Sequence, residues 1–211
     1  MSQIEQHFRV FLSKKPEIES CYQEGLINRR SLARYLIRHG LAKSNQMEAV
    51  IAMLRRFEFK KSTPPKDLFH KTKLNIKDKV IILDFEKRKE LVQKLQHLIA
   101  TTNYDRGDTL KIVVGSSSVK LFLDEENEGR VKTMLDQFKI KHRSTNISEI
   151  SVIFPEEAGT ERGIIAAITT ELSVNDIIIV ELLTATPELL IYLHEKDVLE
   201  AYSILKRLQK C

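Results

Sequence analysis

The spacing of apolar residues changes character once along the chain, near residue 60. Before that point every apolar pattern is helical. Met47, Val50, Ile51, Leu54 and Phe57 recur at i, i+3, i+4, i+7 and i+10, one stripe of a helix that Ser44 is positioned to cap. Three helices precede it. Ile4 to Leu12 forms the first. Pro16 opens the second, because its missing N–H would have no partner in a first turn, and Gly25 closes it with a left-handed cap. Asn28 caps the third, Arg29 to His39, which Gly40 ends. Residues 60–76 show no periodicity, carry Pro64-Pro65 and several lysines, and read as a linker after a helical domain, 1–59.

Beyond the linker, short apolar runs alternate with helical patterns, and they do so twice. Val80-Ile81-Ile82-Leu83 reads as a buried strand, and Ile150-Ser151-Val152-Ile153 follows 70 positions later. The same offset relates Leu110–Val114 to Val180–Thr184, and Val119–Leu123 to Leu189–Leu193. It also relates the helix of Val131, Met134 and Leu135 to that of Ala201, Ile204 and Leu205. A shared offset across every element implies a tandem duplication. The first unit, 77–146, reads strand 79–85, helix 87–102, strands 109–116 and 118–124, helix 128–138 and strand 139–145, a ferredoxin-like βαββαβ order. The second, 147–211, reads strand 148–154, helix 161–173, strands 177–184 and 188–193, and helix 197–208, with no fourth strand of its own. The fold class is therefore α+β: an all-helical, helix-turn-helix-like domain followed by two tandem ferredoxin-like units. The missing strand leaves a sheet edge to be covered by the other unit, by a swapped strand or by a second subunit. A homodimer is the expectation.

Charge sharpens the division. Residues 1–76 contain 15 Lys+Arg and 7 Asp+Glu, a balance of +8; the rest of the chain, with 19 and 22, carries −3. A basic unit joined to a mildly acidic one points to two tasks, the basic one facing an anionic partner. No apolar run approaches the roughly 20 residues that span a bilayer. The polar start, Met1 to Arg9, is unlike a signal peptide. A cytoplasmic protein with no membrane contact is expected.

The second unit carries a family resemblance. Ile150-Ser151-Val152-Ile153-Phe154-Pro155 is followed by Gly163-Ile164-Ile165-Ala166-Ala167-Ile168, Leu172, and Asn175-Asp176-Ile177-Ile178-Ile179-Val180-Glu181. Pro187-Glu188-Leu189-Leu190-Ile191-Tyr192 and Asp197-Val198-Leu199-Glu200-Ala201 with Leu205 complete it. This resembles the ACT domain, and in particular the regulatory end of aspartokinases. It covers about 148–208, extends to 77–145 through the internal repeat, and leaves no room for the kinase domain. The resemblance implies a regulator and not an enzyme, binding an amino acid or similar small effector at the turn Glu156–Ile164. Glu156, Glu157, Arg162, Gly163 and Ile164 are the candidate contacts there, with Asn175 and Asp176 at the start of the next strand. Gly163 would let a backbone approach a ligand closely, and the N–H groups of a helix start hold carboxylates. The sequence departs from the family in having Arg162 before that glycine, where proline is common. Its acidic loop, with Glu161 beside Glu156 and Glu157, favours a cationic or neutral ligand over a dicarboxylate. The equivalent turn of the first unit, Glu86–Glu90, has no glycine.

In the helical domain Arg30, Arg34 and Arg38 lie at i, i+4 and i+8. Like charges at that spacing oppose the helix, so the row suits an anionic surface. With Asn45, Gln46, Arg55, Arg56, Lys60 and Lys61 it forms a candidate duplex-DNA interface. A basic module that docks on a protein has the same features. Catalytic motifs are missing: there is no Walker or GxGxxG loop, no His pair at ligand spacing, and Cys21 and Cys211 are remote from each other and from CxxC spacing. Neither a metal nor a cofactor is implied. RNA-binding modules share the βαββαβ order but need exposed aromatics on the central strands, and only Phe122 is a candidate. The expectation is a ligand-responsive transcriptional regulator; the alternative is an ACT-paired dimer that regulates a partner enzyme without binding DNA.

Overall fold

A computed structural model describes residues 3–58 and 66–209. The chain divides into two compact units, Met1–Lys61 and Ser62–Cys211. Residues 60–65 of the expected linker, with Lys60, Lys61 and the Pro64-Pro65 pair, lie outside the described residues.

Among the described residues, the first unit holds four α-helices: α1 (Gln3–Ser13), α2 (Pro16–Gln23), α3 (Arg29–Arg38) and α4 (Met47–Arg56). Their punctuation is local. Gly25 and Gly40 take φ of +76° and +74°, the left-handed conformation expected after α2 and α3. The Asn28 side chain accepts the Arg30 and Ser31 amides at the start of α3. Ser44 is not a cap. It begins a 3-10 turn, Ser44–Gln46, in which the Lys43 amide donates to Gln46 Oε1 at 2.8 Å, and α4 starts only at Met47. The stripe of α4 packs Val50, Ile51 and Leu54 against Phe8, Leu12, Leu32 and Leu36.

Among the described residues, the second unit is built on one antiparallel sheet of six strands in the order β2-β3-β1-β4-β6-β5. Two of them are long: β1 (Lys73–Glu86) and β4 (Ile140–Ile153). The others are β2 (Leu110–Val114), β3 (Ser118–Asp124), β5 (Ile179–Ala185) and β6 (Glu188–His194). The helices are α5 (Lys66–His70), α6 (Lys89–Thr101), α7 (Glu128–Met134), α8 (Ile164–Val174) and α9 (Val198–Leu208).

The long strands solve the missing-strand problem. The fourth strand of the first repeat and the first strand of the second are one strand, β4. The second half of β1 pairs with β3, as a ferredoxin-like first strand does. Its first half, Lys73–Lys77, pairs with Ile153–Glu149 of β4 and fills the fourth-strand place of the second repeat. Residues 73–76 were expected in the linker and belong instead to the sheet. Leu68 and Phe69 of α5, also expected there, are buried in the core of the second repeat. Only the long-range partner makes Lys73–Lys77 a strand, since its sequence is mostly polar.

Both long strands kink where they pass from one repeat to the other. Lys79 and Asn146 adopt φ of +52° and +56°, and the β1–β4 register shifts between Lys77 and Val80. A bulge of this kind bends a strand and turns its side chains over. Before the bulge Leu74 faces the helices of the second repeat; after it Ile81, Leu83 and Phe85 face those of the first. The 70-residue offset also needs correction. Asp124 and His194 are equivalent and 70 apart, but their partners Val80 and Ile147 are 67 apart. Val80 therefore matches Ile147, not Ile150.

The sheet curls so that its non-helical face closes on itself. Val80, Ile82 and Phe122 meet Ile147, Leu190 and Tyr192 in a separate core, with the Phe122 and Tyr192 rings 4.6 Å apart. Lys111 of β2 pairs with Glu149 of β4 at 2.5 Å, and Lys120 of β3 pairs with Glu181 of β5. Burial, reinforced by the nearby Glu149 charge, raises the Tyr192 phenol well above its ordinary pKa. This is the face on which RNA-binding modules present aromatics, and here both rings are fully buried. Among the described residues, no helix is long and apolar enough to cross a membrane.

Candidate functional site

A cleft of about 370 Å³ opens where the β4–α8 connection meets the β5–β6 hairpin. The connection is long. Ten residues, 154–163, separate β4 from α8, including a 3-10 turn at Glu156–Thr160. Ala158 anchors the turn in the core. Its far end is Gly163, whose φ of +84° lies in the left-handed region that favours glycine. Gly163 is also the N-cap of α8 and has no side chain to cap with. Ile164, Ile165 and Ala166 follow it and line the cleft. The amides of a helix's first turn have no intrahelical acceptor, and the helix dipole adds positive potential there.

The opposite wall is the hairpin: Thr184, Thr186, Pro187 and Glu188. The Phe154 amide donates to the Pro187 carbonyl at 2.9 Å, which ties hairpin to connection. The Glu188 side chain turns to the other face of the sheet, the side of Leu190 and Tyr192, where it accepts the Ser151 hydroxyl. Glu161 supplies a carboxylate to the cleft, and Phe154, Ile164 and Leu189 give an apolar lining. The cleft thus combines the uncapped start of a helix, one carboxylate and an apolar floor.

The expected contacts divide. Gly163 and Ile164 line the cleft; Glu156, Glu157 and Arg162 belong to the same connection but do not. Glu157 instead pairs with Lys71 at 3.7 Å. Asn175 and Asp176 are at the other end of α8, about 16 Å away for an 11-residue helix. There Asn175 Nδ2 donates to the Glu171 carbonyl and its Oδ1 accepts from Arg207. Glu188 and the threonines were missed, although topology contained the signal. In a ferredoxin-like unit the first two strands run parallel, so the hairpin after the second lies beside the turn after the first. In the first repeat the corresponding connection is short. Two residues, Lys87 and Arg88, join β1 to α6 there, and Lys87 bonds to Ser117 and Gly115 of its hairpin through amide and ammonium.

In the helical unit, Arg30, Arg34 and Arg38 are exposed along α3, as are Asn45, Arg55 and Arg56, while Gln46 is half-buried. Arg30 and Arg55 share one concavity with Arg29, which the row of arginines does not include. Among the described residues, no group of His, Cys, Asp and Glu is arranged to hold a metal ion.

Paired ferredoxin-like units in one sheet are the fold that the ACT resemblance implies, and among the solved structures that share this fold are aspartate kinases and their subunits. An allosteric aspartate kinase from Clostridium acetobutylicum superposes with a TM-score of 0.55 at 14% identity, over 73% of this chain and 37% of the kinase. A structure of aspartokinase alpha and beta subunits gives 0.52 at 13%, over 65% of this chain and 97% of the other. The ligand-free regulatory subunit of aspartate kinase from Thermus thermophilus gives 0.53 at 10%, over 64% and 97%. The chain is thus similar to the regulatory portions, spans little more than a third of the full kinase, and shares the fold without the kinase domain. No family model matches the sequence, and neither does any curated protein.

Proposed function

We propose that the protein is a non-catalytic regulator whose paired units bind a small zwitterion, an amino acid or close analogue, in the cleft between Gly163 and Glu188. One observation carries this reading: the uncapped start of α8 opens on a cleft that has an apolar floor and the Glu161 carboxylate in its lining. A ligand carboxylate takes the Ile164–Ala166 amides, its ammonium takes Glu161, and its side chain rests on Phe154 and Leu189. The likeness to regulatory subunits of an allosteric kinase supports it. A thermal-shift panel of amino acids is the test, since a ligand that binds only the native state must raise the melting point. At least one amino acid shifts the midpoint at millimolar concentration, and Glu161→Gln removes the shift. A flat panel refutes the reading.

A second observation bears on the helical unit. Its exposed arginines on α3 and at the end of α4 favour duplex DNA as the target of regulation, with α3–α4 as a helix-turn-helix-like pair. The outer edges of β2 and β5, the terminal strands of the sheet among the described residues, favour a homodimer. A salt-dependent mobility shift tests the first, and light scattering the second. Dimerisation without any DNA shift would instead favour a regulator of a partner enzyme.

A further inference from the structure

The helical unit has a concavity of its own, about 450 Å³, where the α2–α3 turn meets α4. Arg29 and Arg30 reach it from the start of α3 and Arg55 from the end of α4, over a floor that includes Tyr22 and Ile51; Glu48 is the one carboxylate in its lining. The helix start is not itself the attraction, because Asn28 already accepts the Arg30 and Ser31 amides at 2.9 and 3.3 Å. What stands out is the gathering of guanidinium groups from two helices. The ion pairs of this unit are Arg9–Glu5 and Lys15–Glu17, so among the described residues none engages Arg29, Arg30 or Arg55. Like charges that share a concavity repel unless an anion sits among them.

One of the three is held in place. Arg29 Nε donates to Tyr22 Oη at 3.2 Å, and the Tyr22 hydroxyl donates to the Leu54 carbonyl at 2.8 Å. This chain fixes the guanidinium to α4 and leaves its two terminal nitrogens available. A held guanidinium fork matches two oxygens of a tetrahedral oxyanion. Three guanidinium charges less the Glu48 carboxylate leave two positive charges, close to the −1.5 to −2 or so of a phosphate monoester at neutral pH.

We propose that Arg29, Arg30 and Arg55 form a seat for a single phosphoryl group, the terminal phosphate of a small molecule or a phosphodiester of a nucleic-acid backbone. The seat is separate from the effector cleft. It deepens the anion-facing reading of the helical unit and fails separately from the DNA reading. Arg55 is the cation that another helix contributes, and Glu48 sets the net charge, so the two have opposite effects on binding.

The test is an amide-resonance titration of the full chain with inorganic phosphate, beside a fluorescence-anisotropy titration with a short labelled duplex. Phosphate shifts the amides around residues 22–30 and 48–55. Arg55→Gln weakens it at least fivefold, Glu48→Gln tightens it, and Lys14→Gln, an exposed cation of the same unit outside the lining, changes nothing. Far-UV circular dichroism of each variant matches that of the parent. If phosphate displaces the duplex and Arg55→Gln lowers the salt slope of duplex binding by about one, the backbone phosphodiester is the source. If phosphate binds and the duplex does not, the source is a small phosphorylated ligand, and the seat stands while the DNA reading falls. The proposal is overturned if phosphate at tens of millimolar leaves these amides unmoved. It is also overturned if Lys14→Gln weakens phosphate as much as Arg55→Gln, the behaviour of diffuse surface charge.

Discussion

Substituting Phe69 separates two accounts of the residues after the helical unit. As part of a linker, Phe69 would stand in solvent, and its loss would change stability by no more than about 0.5 kcal/mol. In the structure it is 7% exposed and Leu68 is 6% exposed, both within the core that contains Ala158, Ile164, Ile168 and Leu172. Burying a phenylalanine side chain is worth about 1.5–3 kcal/mol, and truncating one in a packed core costs about 3–5 kcal/mol because a cavity remains. The helix α5 has five residues and lies early in its unit, so its surroundings can partly collapse. The lower end applies: about 3 kcal/mol for Phe69→Ala and about 2 kcal/mol for Leu68→Ala. For a unit of this size 1 kcal/mol moves the melting point by about 2–4 °C, so Phe69→Ala lowers it by about 6–12 °C. Urea unfolding followed by far-UV circular dichroism gives the free energies. Val174→Ala, at a site 70% exposed, is the control and stays within about 0.5 kcal/mol of the parent. Leu68 and Phe69 variants that both match the control would refute the docking of α5 and weaken the account of Lys73–Lys77 as the fourth strand.

Other outcomes follow from single contacts. Arg143 bonds to Glu128 at 2.5 and 2.8 Å, and, with help from Lys132, holds that carboxyl at about 2 against the opposing effect of burial. A depressed carboxylate stabilises above its unfolded value near 4.5, and that stability is lost as pH falls from there towards 2. Arg143 and Lys132 are 42% and 44% exposed, so solvent screens the pair and about 1 kcal/mol is expected. Glu128→Gln should therefore destabilise by about 1 kcal/mol at pH 7 and by almost nothing at pH 2, read from urea midpoints at each pH. Gly163→Ala forces a β-carbon into a left-handed conformation, which costs about 1–2 kcal/mol in thermal unfolding, and calorimetry should show weaker effector binding. Lys111→Met leaves the Glu149 carboxylate, 5% exposed, without its partner and costs about 2 kcal/mol; adding Glu149→Leu restores most of it. Additive losses in that double-mutant cycle would count against the closed inner face.

Much of this architecture was legible because periodicity is a local property. The stripe of α4, the runs at Val80–Leu83 and Leu189–Leu193 and the caps at Asn28 and Gly40 need nothing beyond their own segments. What escaped was decided at long range. Lys73–Lys77 has two apolar residues among charged and polar ones, and only its partner β4 makes it a strand. Leu68-Phe69 is too short a run to show a helical period. The repeat offset misled in a specific way. The second repeat has eight more residues between its first strand and first helix, and fewer in its helix and in the link that follows. The two differences nearly cancel by β5 and β6, so a constant 70 hid a three-residue slip in the first strand. Three is odd, so the slip exchanges the two faces of that strand. In the cleft, Gly163 could be found from its neighbours, whereas Glu188 needed the topology. In the helical unit the i, i+4 row selected Arg30 and passed over Arg29, which lies off the stripe but shares the concavity.

The exchange of strand halves has a consequence for regulation under the proposed function. Residues 66–77 are the first described segment after the helical unit, and they are built into the effector-binding repeat. Phe69 and Leu68 share a core with Ala158 of the cleft connection, Lys71 pairs with Glu157 of the same turn, and Thr72 accepts Gln209 Nε2 from the end of α9. Drawn from upstream of the repeat, the strand and α5 form one packed structure with the cleft connection. A ligand that stabilises the connection must stabilise the docking of α5 by the same free energy, since the coupling is reciprocal. Phe69→Ala should therefore weaken effector binding without touching the cleft lining, and hydrogen exchange across 66–77 should slow when effector binds. Unchanged affinity in that variant, with its stability loss confirmed, would leave the strand exchange as architecture alone.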